Sequence, residues 1–247
     1  MLVLYHSINS VCAQKVHIAL KEKGREAKDQ IMTLRGDQYD PAYLELNPNG
    51  VVPLYYIDDA FPEPPLMPEH PYQRHRVRMY NKLIDEYVHN SCMILTFATA
   101  FRPAFLKMAP EAWQAEIAKS PLKRRAEYKR SVIEHGLDSE FVADALTQHR
   151  KLLSWMADSL KSGPYLAGEA FSNADCAVIP YILRLELLKL GGIWDRYPAI
   201  ADWWARVRAR PSVKSAIFDR MTEADTAPFK NLAPDPWPKV QELLKAA

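Results

Sequence analysis

The spacing of apolar residues changes several times along the chain, and each change marks an element. "LVLYH" (Leu2–His6) is a short apolar run of strand length. From Val11 to Lys23 the apolar positions Cys12, Val16, Ala19 and Leu20 fall at helical spacing, and Gly24 stands where a helix closes on a cap. "EAKDQIMTL" then returns as a second strand, giving a β-α-β unit whose strands are parallel because the connection is a crossover. "DPAYLELNPNG" reads as a short helix stopped by Asn47, Pro48 and Gly50, and "VVPLYYI" as an extended piece interrupted by Pro53.

After Ile57 the texture changes. "FPEPPLMP" sets four prolines between Phe61 and Pro68, a stiff extended linker, and the domain boundary is placed there: residues 1–62, then 63–247. Beyond it the chain reads as helices over Tyr72 to about Ala100, Glu111–Ala118, Leu122–Glu134, Ser139–Leu160, Ala174–Leu190 and Ala199–Arg208. Phe141, Ala145, Leu152, Met156 and Leu160 share one helical face. Pro228, Pro234, Pro236 and Pro238 mark an irregular tail that ends in a short helix. The fold class is therefore α/β plus all-α, a small unit followed by a helical one about three times larger.

Composition narrows the partners. Of 247 residues 48% are hydrophobic and 25% charged, which is globular, and 32 basic against 30 acidic residues leave a net charge of +2. Apart from "KRRAEYKR" (Lys123–Arg130) the basic residues are scattered, which argues against nucleic acid. No window approaches the ~18 apolar residues of a membrane span, and "MLVLYHSINS" lacks the pattern of a signal peptide, so a cytoplasmic protein without membrane partners is expected. Cys12, Cys92 and Cys176 are odd in number and far apart, indicating neither a disulfide framework nor a zinc site; no metal is expected.

Ser10 before the first helical run is, by pattern alone, a helix cap. The order of three further stretches adds a second meaning. "SVCAQKVHIALKEKG", "LNPNGVVP" (Leu46–Pro53) and "FSNADCAVIP" (Phe171–Pro180) resemble, in sequence order, the first helix, the cis-proline element and the buried N-capping box of the cytosolic glutathione transferases. The resemblance covers nearly the whole chain. It implies a thioredoxin-like glutathione-binding domain, a helical second-substrate domain, glutathione as cosubstrate and a homodimer. It also implies that Val52, flanked by Val51 and a cis Pro53, pairs through its backbone with the cysteinyl part of glutathione, as an added strand would. "NKLIDEYVHNSCMILTFATAF" (Asn81–Phe101), "KMAPEAWQAEIAKSPLKRRAEYKR" (Lys107–Arg130) and the tail are most similar to the bacterial β-etherase branch, which cleaves lignin-derived aryl ethers.

Glutathione must be deprotonated to attack, and a helix N-terminus with a hydroxyl donor favours the anion. Ser10, six residues before Val16, stands where serine-type and cysteine-type relatives carry the activating residue; Asn9, with an amide N–H, is the alternative. Cys12 shares the apolar face of Val16 and is expected in the core, with thiol transfer as its minor alternative. His6 and His17 show no partner at a diagnostic spacing and are read as structural or surface residues. Tyr87, Asn90, Met93, Ile94, Phe97 and Phe101 fall at helical spacings and are the candidates for an aromatic second-substrate pocket.

One departure stands out. The family's hairpin and the Glu-Ser pair that holds the γ-glutamyl end of glutathione have no counterpart, and roughly twenty residues are missing between Leu54 and Tyr55 by the length such elements need. The favoured explanation is a segment left out of the sequence, which predicts Leu54 and Tyr55 far apart; the other is a true deletion. The function expected is glutathione attack on a hydrophobic aromatic substrate, possible β-ether cleavage included. The alternatives are general conjugation, dehalogenation or thiol transfer, and, from another class, a non-catalytic interaction protein.

Overall fold

A computed structural model describes residues 2–33, 40, 43, 45, 54–230 and 232–246. Strand β1 (Leu2–His6) and strand β2 (Ala27–Ile31) pair in parallel, Leu2 opposite Ala27 through His6 opposite Ile31. Helix α1 (Val11–Glu22) makes the crossover, as the sequence pattern requires. Its turn out is made at Gly24, whose φ of +62° is costly for any residue with a Cβ. Among the described residues the sheet has these two strands.

Helix α2 (Leu54–Ala60) corrects one expectation. The stretch read as the end of an extended piece is helical, and Leu54 and Tyr55 open the helix as consecutive residues. Val51, Val52 and Pro53 lie outside the described residues, as does most of the short helix expected before them. The proline-rich linker appears as a non-helical stretch before α3. Its carbonyls at Pro62 and Pro64 accept hydrogen bonds from the Lys23 ammonium, which also pairs with Asp58, so the end of α1 anchors the linker.

Helix α3 (Pro71–Leu83), a π-helical turn (Ile84–Val88) and α4 (His89–Ala98) form one long helix. There follow α5 (Arg102–Leu106), α6 (Pro110–Ala118), α7 (Lys123–His135), α8 (Phe141–Ser159), α9 (Asn173–Leu187) and α10 (Pro198–Arg208). The short α11 (Pro211–Val213) runs into a π turn (Lys214–Phe218), and α12 (Glu223–Lys230) and α13 (Trp237–Ala246) end the chain. Helix α12 departs from the irregular tail that the prolines predict, since it is helical with Pro228 within its last turn.

Helix α9 is buried along almost its whole length, from Asn173 to Leu185, and is the axis of the bundle. Val16, Ile18, Ala19 and Leu20 of α1 belong to the same apolar cluster as Ile179, Ile182, Leu152 and Trp203, so one core runs through both units. At about 1.5–3 kcal/mol for each fully buried large aliphatic side chain, the docking of α1 is a main source of stability for the small unit. A two-stranded sheet would hold poorly alone.

Candidate active site

The start of α1 is shaped by local hydrogen bonds. Ser10 has the extended backbone of an N-cap, its carbonyl accepts from the Gln14 amide at 2.9 Å, and its Oγ accepts from the Ala13 N–H at 3.3 Å. Capping uses a lone pair of Oγ and leaves the hydroxyl proton to give. Ser10 is half-buried, and the first turn of α1 carries no acidic residue. The partial positive charge at this helix end therefore has no local carboxylate to neutralise it.

Asn9 fixes the loop before that turn. Its carbonyl accepts from Arg184 Nη2 at 2.6 Å, and its Nδ2 donates to the Asp225 carbonyl at 3.0 Å. The side chain is thus engaged by α12. Its buried Oδ1 has no partner among the described residues.

Cys12 does pack against the core, as its helical phase predicts, but it is half-buried and its Sγ lies 3.5 Å from His89 Nδ1. The same nitrogen is 3.1 Å from Tyr181 Oη. The long helix reaches α1 through its π turn and the residue after it: Asp85 accepts from Lys15 Nζ at 2.8 Å, one turn from the Cys12–His89 contact. Burial pushes the Cys12 thiol up, but His89, by charge and by hydrogen bond, and Lys15 outweigh it and bring the thiol below its ordinary pKa, with Asp85 opposing. Cys92, fully enclosed, is pushed up by burial to about 11.

Arg184 is the residue that the sequence reading missed. It is 6% exposed, donates to Thr96 Oγ1 at 3.2 Å as well as to Asn9, and holds its guanidinium 5.0 Å from the centre of the Phe229 ring. All three partners are neutral. A charged residue within a helix that is apolar all round was the available signal. His89, Tyr181 and Phe229 carried no comparable mark, because long-range packing brings them in.

The six pocket candidates divide. Phe97 and Phe101 pack at 5.4 Å between ring centres, and Phe101 meets Phe229 of α12 at 5.8 Å. Met93 lies half-buried against the same core, while Ile94 is enclosed within it. Asn90 turns to α7, its Oδ1 3.5 Å from Arg125 Nη2. Tyr87 is on the outside, 46% exposed, with Lys151 Nζ 5.4 Å from its ring centre; it does not join the aromatic group. His6 and His17 take the structural alternative, both buried, but they have a carboxylate partner that spacing did not reveal: Asp29 Oδ1 is 3.0 Å from His6 Nε2.

The third motif behaves as read. Ser172 and Asp175 form a reciprocal capping box at α9, and the enclosed Asp175 also accepts from the Leu166 N–H at 3.1 Å and Trp203 Nε1 at 2.8 Å. Burial raises its pKa, and these donors oppose the rise.

A thioredoxin-like unit whose first helix docks on a larger helical bundle is the two-domain arrangement of the glutathione transferase fold. The chain belongs to the glutathione S-transferase family: residues 9–64 match the model of the glutathione S-transferase N-terminal domain and residues 114–211 that of the C-terminal domain. It is 23% identical to protein LigF of Sphingobium sp. over 236 residues, covering 86% of this chain and 91% of LigF. It is 28% identical to glutathione S-transferase TCHQD of Arabidopsis thaliana, covering 87% and 88%. The crystal structure of the β-etherase LigF superposes with a TM-score of 0.72 over 87% of this chain and 98% of that one, at 22% identity. No helix among the described residues is long and apolar enough to cross a membrane.

Proposed function

We propose that the chain holds glutathione on its thioredoxin-like unit, stabilises the thiolate at the N-terminus of α1 through the Ser10 hydroxyl, and delivers the sulfur to a hydrophobic aromatic substrate beside Phe97, Phe101 and Phe229. The reaction inferred is β-aryl ether cleavage. The thiolate attacks the carbon bearing the aryloxy group, a C–S bond forms as the C–O bond breaks, and the electron pair leaves on the aryloxide, which takes a proton from solvent.

One observation carries this reading: Ser10 caps α1 while keeping a proton to donate, at a helix end with no acidic residue of its own. Arg184 supports the ether as substrate, since a buried cation tied to the residue beside Ser10 lowers the cost of an aryloxide leaving group. Backbone pairing of glutathione with Val52, between Val51 and Pro53, belongs to the reading as well. So does a cytoplasmic homodimer; three unpaired cysteines fit a reducing compartment.

The Cys12–His89 contact favours a second reaction on the same scaffold, thiol transfer through Cys12. Turnover of a guaiacylglycerol-type β-aryl ether with glutathione separates the two. Loss of rate in Ser10→Ala with retention in Cys12→Ala supports ether cleavage by bound thiolate, and the reverse pattern supports thiol transfer. Failure to be retained on immobilised glutathione would oppose both.

A further inference from the structure

The glutathione reading makes no use of a cluster on the other side of α1. In the parallel register Leu4 faces Asp29 and His6 faces Ile31, so His6 and Asp29 point to the same face of the sheet as diagonal neighbours. Helix α1 lays His17 over that face. His6 Nδ1 is 3.4 Å from His17 Nε2, His17 Nε2 is 3.9 Å from Asp29 Oδ1, and His6 Nε2 is 3.0 Å from the same oxygen. One ligand atom from each residue fits within 4.8 Å of the other two. Both imidazoles are buried, 3% and 5% exposed, and their rings meet edge to face at 4.5 Å between centres.

We propose that His6, His17 and Asp29 form a binding site for a divalent metal ion of the zinc class, which clamps β1, α1 and β2 together. Two imidazoles and a carboxylate are the donors that borderline first-row ions take, and a soft thiol site or an all-oxygen calcium site would look different. A tetrahedral zinc with bonds of about 2.0–2.1 Å needs ligand atoms roughly 3.3 Å apart. With one atom taken from each residue the set spans up to 4.8 Å, so binding would draw the three side chains together. Asp29 remains partly open, which gives the ion a way in.

Arg220, from the segment after α11, sets the affinity. Its Nη2 lies 2.6 Å from Asp29 Oδ2 and 3.5 Å from His6 Nε2. The guanidinium holds Oδ2 and leaves Oδ1, the oxygen that His6 meets, to the ion. As a nearby cation it also opposes metal binding. The site suits a unit whose described sheet has only two strands, because an ion bound by the folded state alone stabilises it.

The test is calorimetric titration of the chelator-treated full chain with Zn2+, with Co2+ absorption as a second reading. The expected result is one ion per chain and a visible Co2+ d–d band of the intensity of a four-coordinate site, without the near-ultraviolet charge-transfer band of a thiolate ligand. Asp29→Asn and His17→Gln should weaken binding at least about tenfold, and Arg220→Gln should tighten it several-fold. Because the Arg220 variant gains affinity, its result does not depend on a damaged fold. Absence of binding up to about 1 mM Zn2+, or binding that survives both Asp29→Asn and His17→Gln, would overturn the site; the second outcome would move the ion to another cluster such as Cys12–His89.

Discussion

Two serines open two helices in this molecule, and they are used differently. Ser172 at α9 is 1% exposed and closed by Asp175, whose carboxylate also serves the Leu166 amide and the Trp203 indole. The Asp175 carboxylate is saturated by donors from within the bundle, although the side-chain amide of the adjoining buried Asn173 has no partner among the described residues. Ser10 at α1 is half-buried, its third helical residue is Ala13 in place of an acid, and its neighbours are ties to the other unit. The same local signal thus marks a folding device where the cap is sealed, and a candidate anion site where it is open. The difference lies in what the third residue of the helix supplies.

The sealed cap should give the largest effect. Asp175→Ala orphans buried donors at Leu166, Ser172 and Trp203, and is expected to cost about 3–5 kcal/mol in urea unfolding. The glutathione-dependent rate per folded molecule should remain. A loss below about 1 kcal/mol would show that the box is not the sealed device it looks.

The open cap should invert that pattern. Ser10→Ala is expected to lower glutathione-dependent turnover by about 10²- to 10³-fold, the usual loss for one donor to a developing or bound anion. The stability change should be about 1 kcal/mol. Ser10→Thr should recover much of the rate. An unchanged rate in Ser10→Ala, read in initial-velocity assays, would leave Ser10 as a cap like Ser172.

Buried histidines extend the comparison to pH. His149 in α8 is fully enclosed, its Nδ1 2.8 Å from the Ala145 carbonyl, its Nε2 without a partner among the described residues, and burial lowers its pKa to about 4. A histidine that stays neutral when folded binds its proton first in the unfolded chain, near pH 6.5. The unfolded state therefore holds more protons between about pH 6.5 and 4, and stability falls as the pH drops through that window. For His149 the loss is on the order of 3 kcal/mol. Urea midpoints measured from pH 7 to pH 4.5 should fall steeply in the wild type and less in His149→Leu. Parallel curves would refute the assignment.

How far the sequence could be read follows the range of the interactions. The β-α-β unit, the longer helices between Pro68 and Arg208 and the Ser172–Asp175 box depend on neighbours within a turn or two, and they appear where the pattern placed them, whereas the helices at Arg102–Leu106, Pro211–Val213 and Glu223–Lys230 do not follow from it. Tyr87 shows where a periodic pattern stops being informative: it shares a long helix with Phe97, yet it lies on the outer side under Lys151. The π turn at Ile84–Val88 breaks the regular helical phase in that helix. The Asp29 partner of His6 and His17 could not be seen from spacing, since strand register brings it in and Arg220 arrives from 191 residues away in the sequence. Cys12 was placed by phase on the core side, correctly, but phase says nothing of His89 across the interface.

Arg184 gives the finest test of the open cap. Its guanidinium joins the two halves of the proposed site, bonded to the Asn9 carbonyl at one end and lying over Phe229 of the aromatic group at the other. Arg184→Lys keeps the charge but loses the planar fork that bonds Asn9 and Thr96 together. If this cation stabilises the departing aryloxide, the variant should lose about tenfold in kcat on ethers of poorly leaving phenols, about 1.4 kcal/mol of barrier, and less on ethers of acidic nitrophenols. The slope of log kcat against phenol pKa should therefore steepen. If Arg184 only pins the Asn9 loop, all substrates should slow by the same factor and the slope should hold. A steeper slope assigns Arg184 to the chemistry beside Ser10; an equal slope makes it a fastener between the domains, sealed in the manner of Asp175.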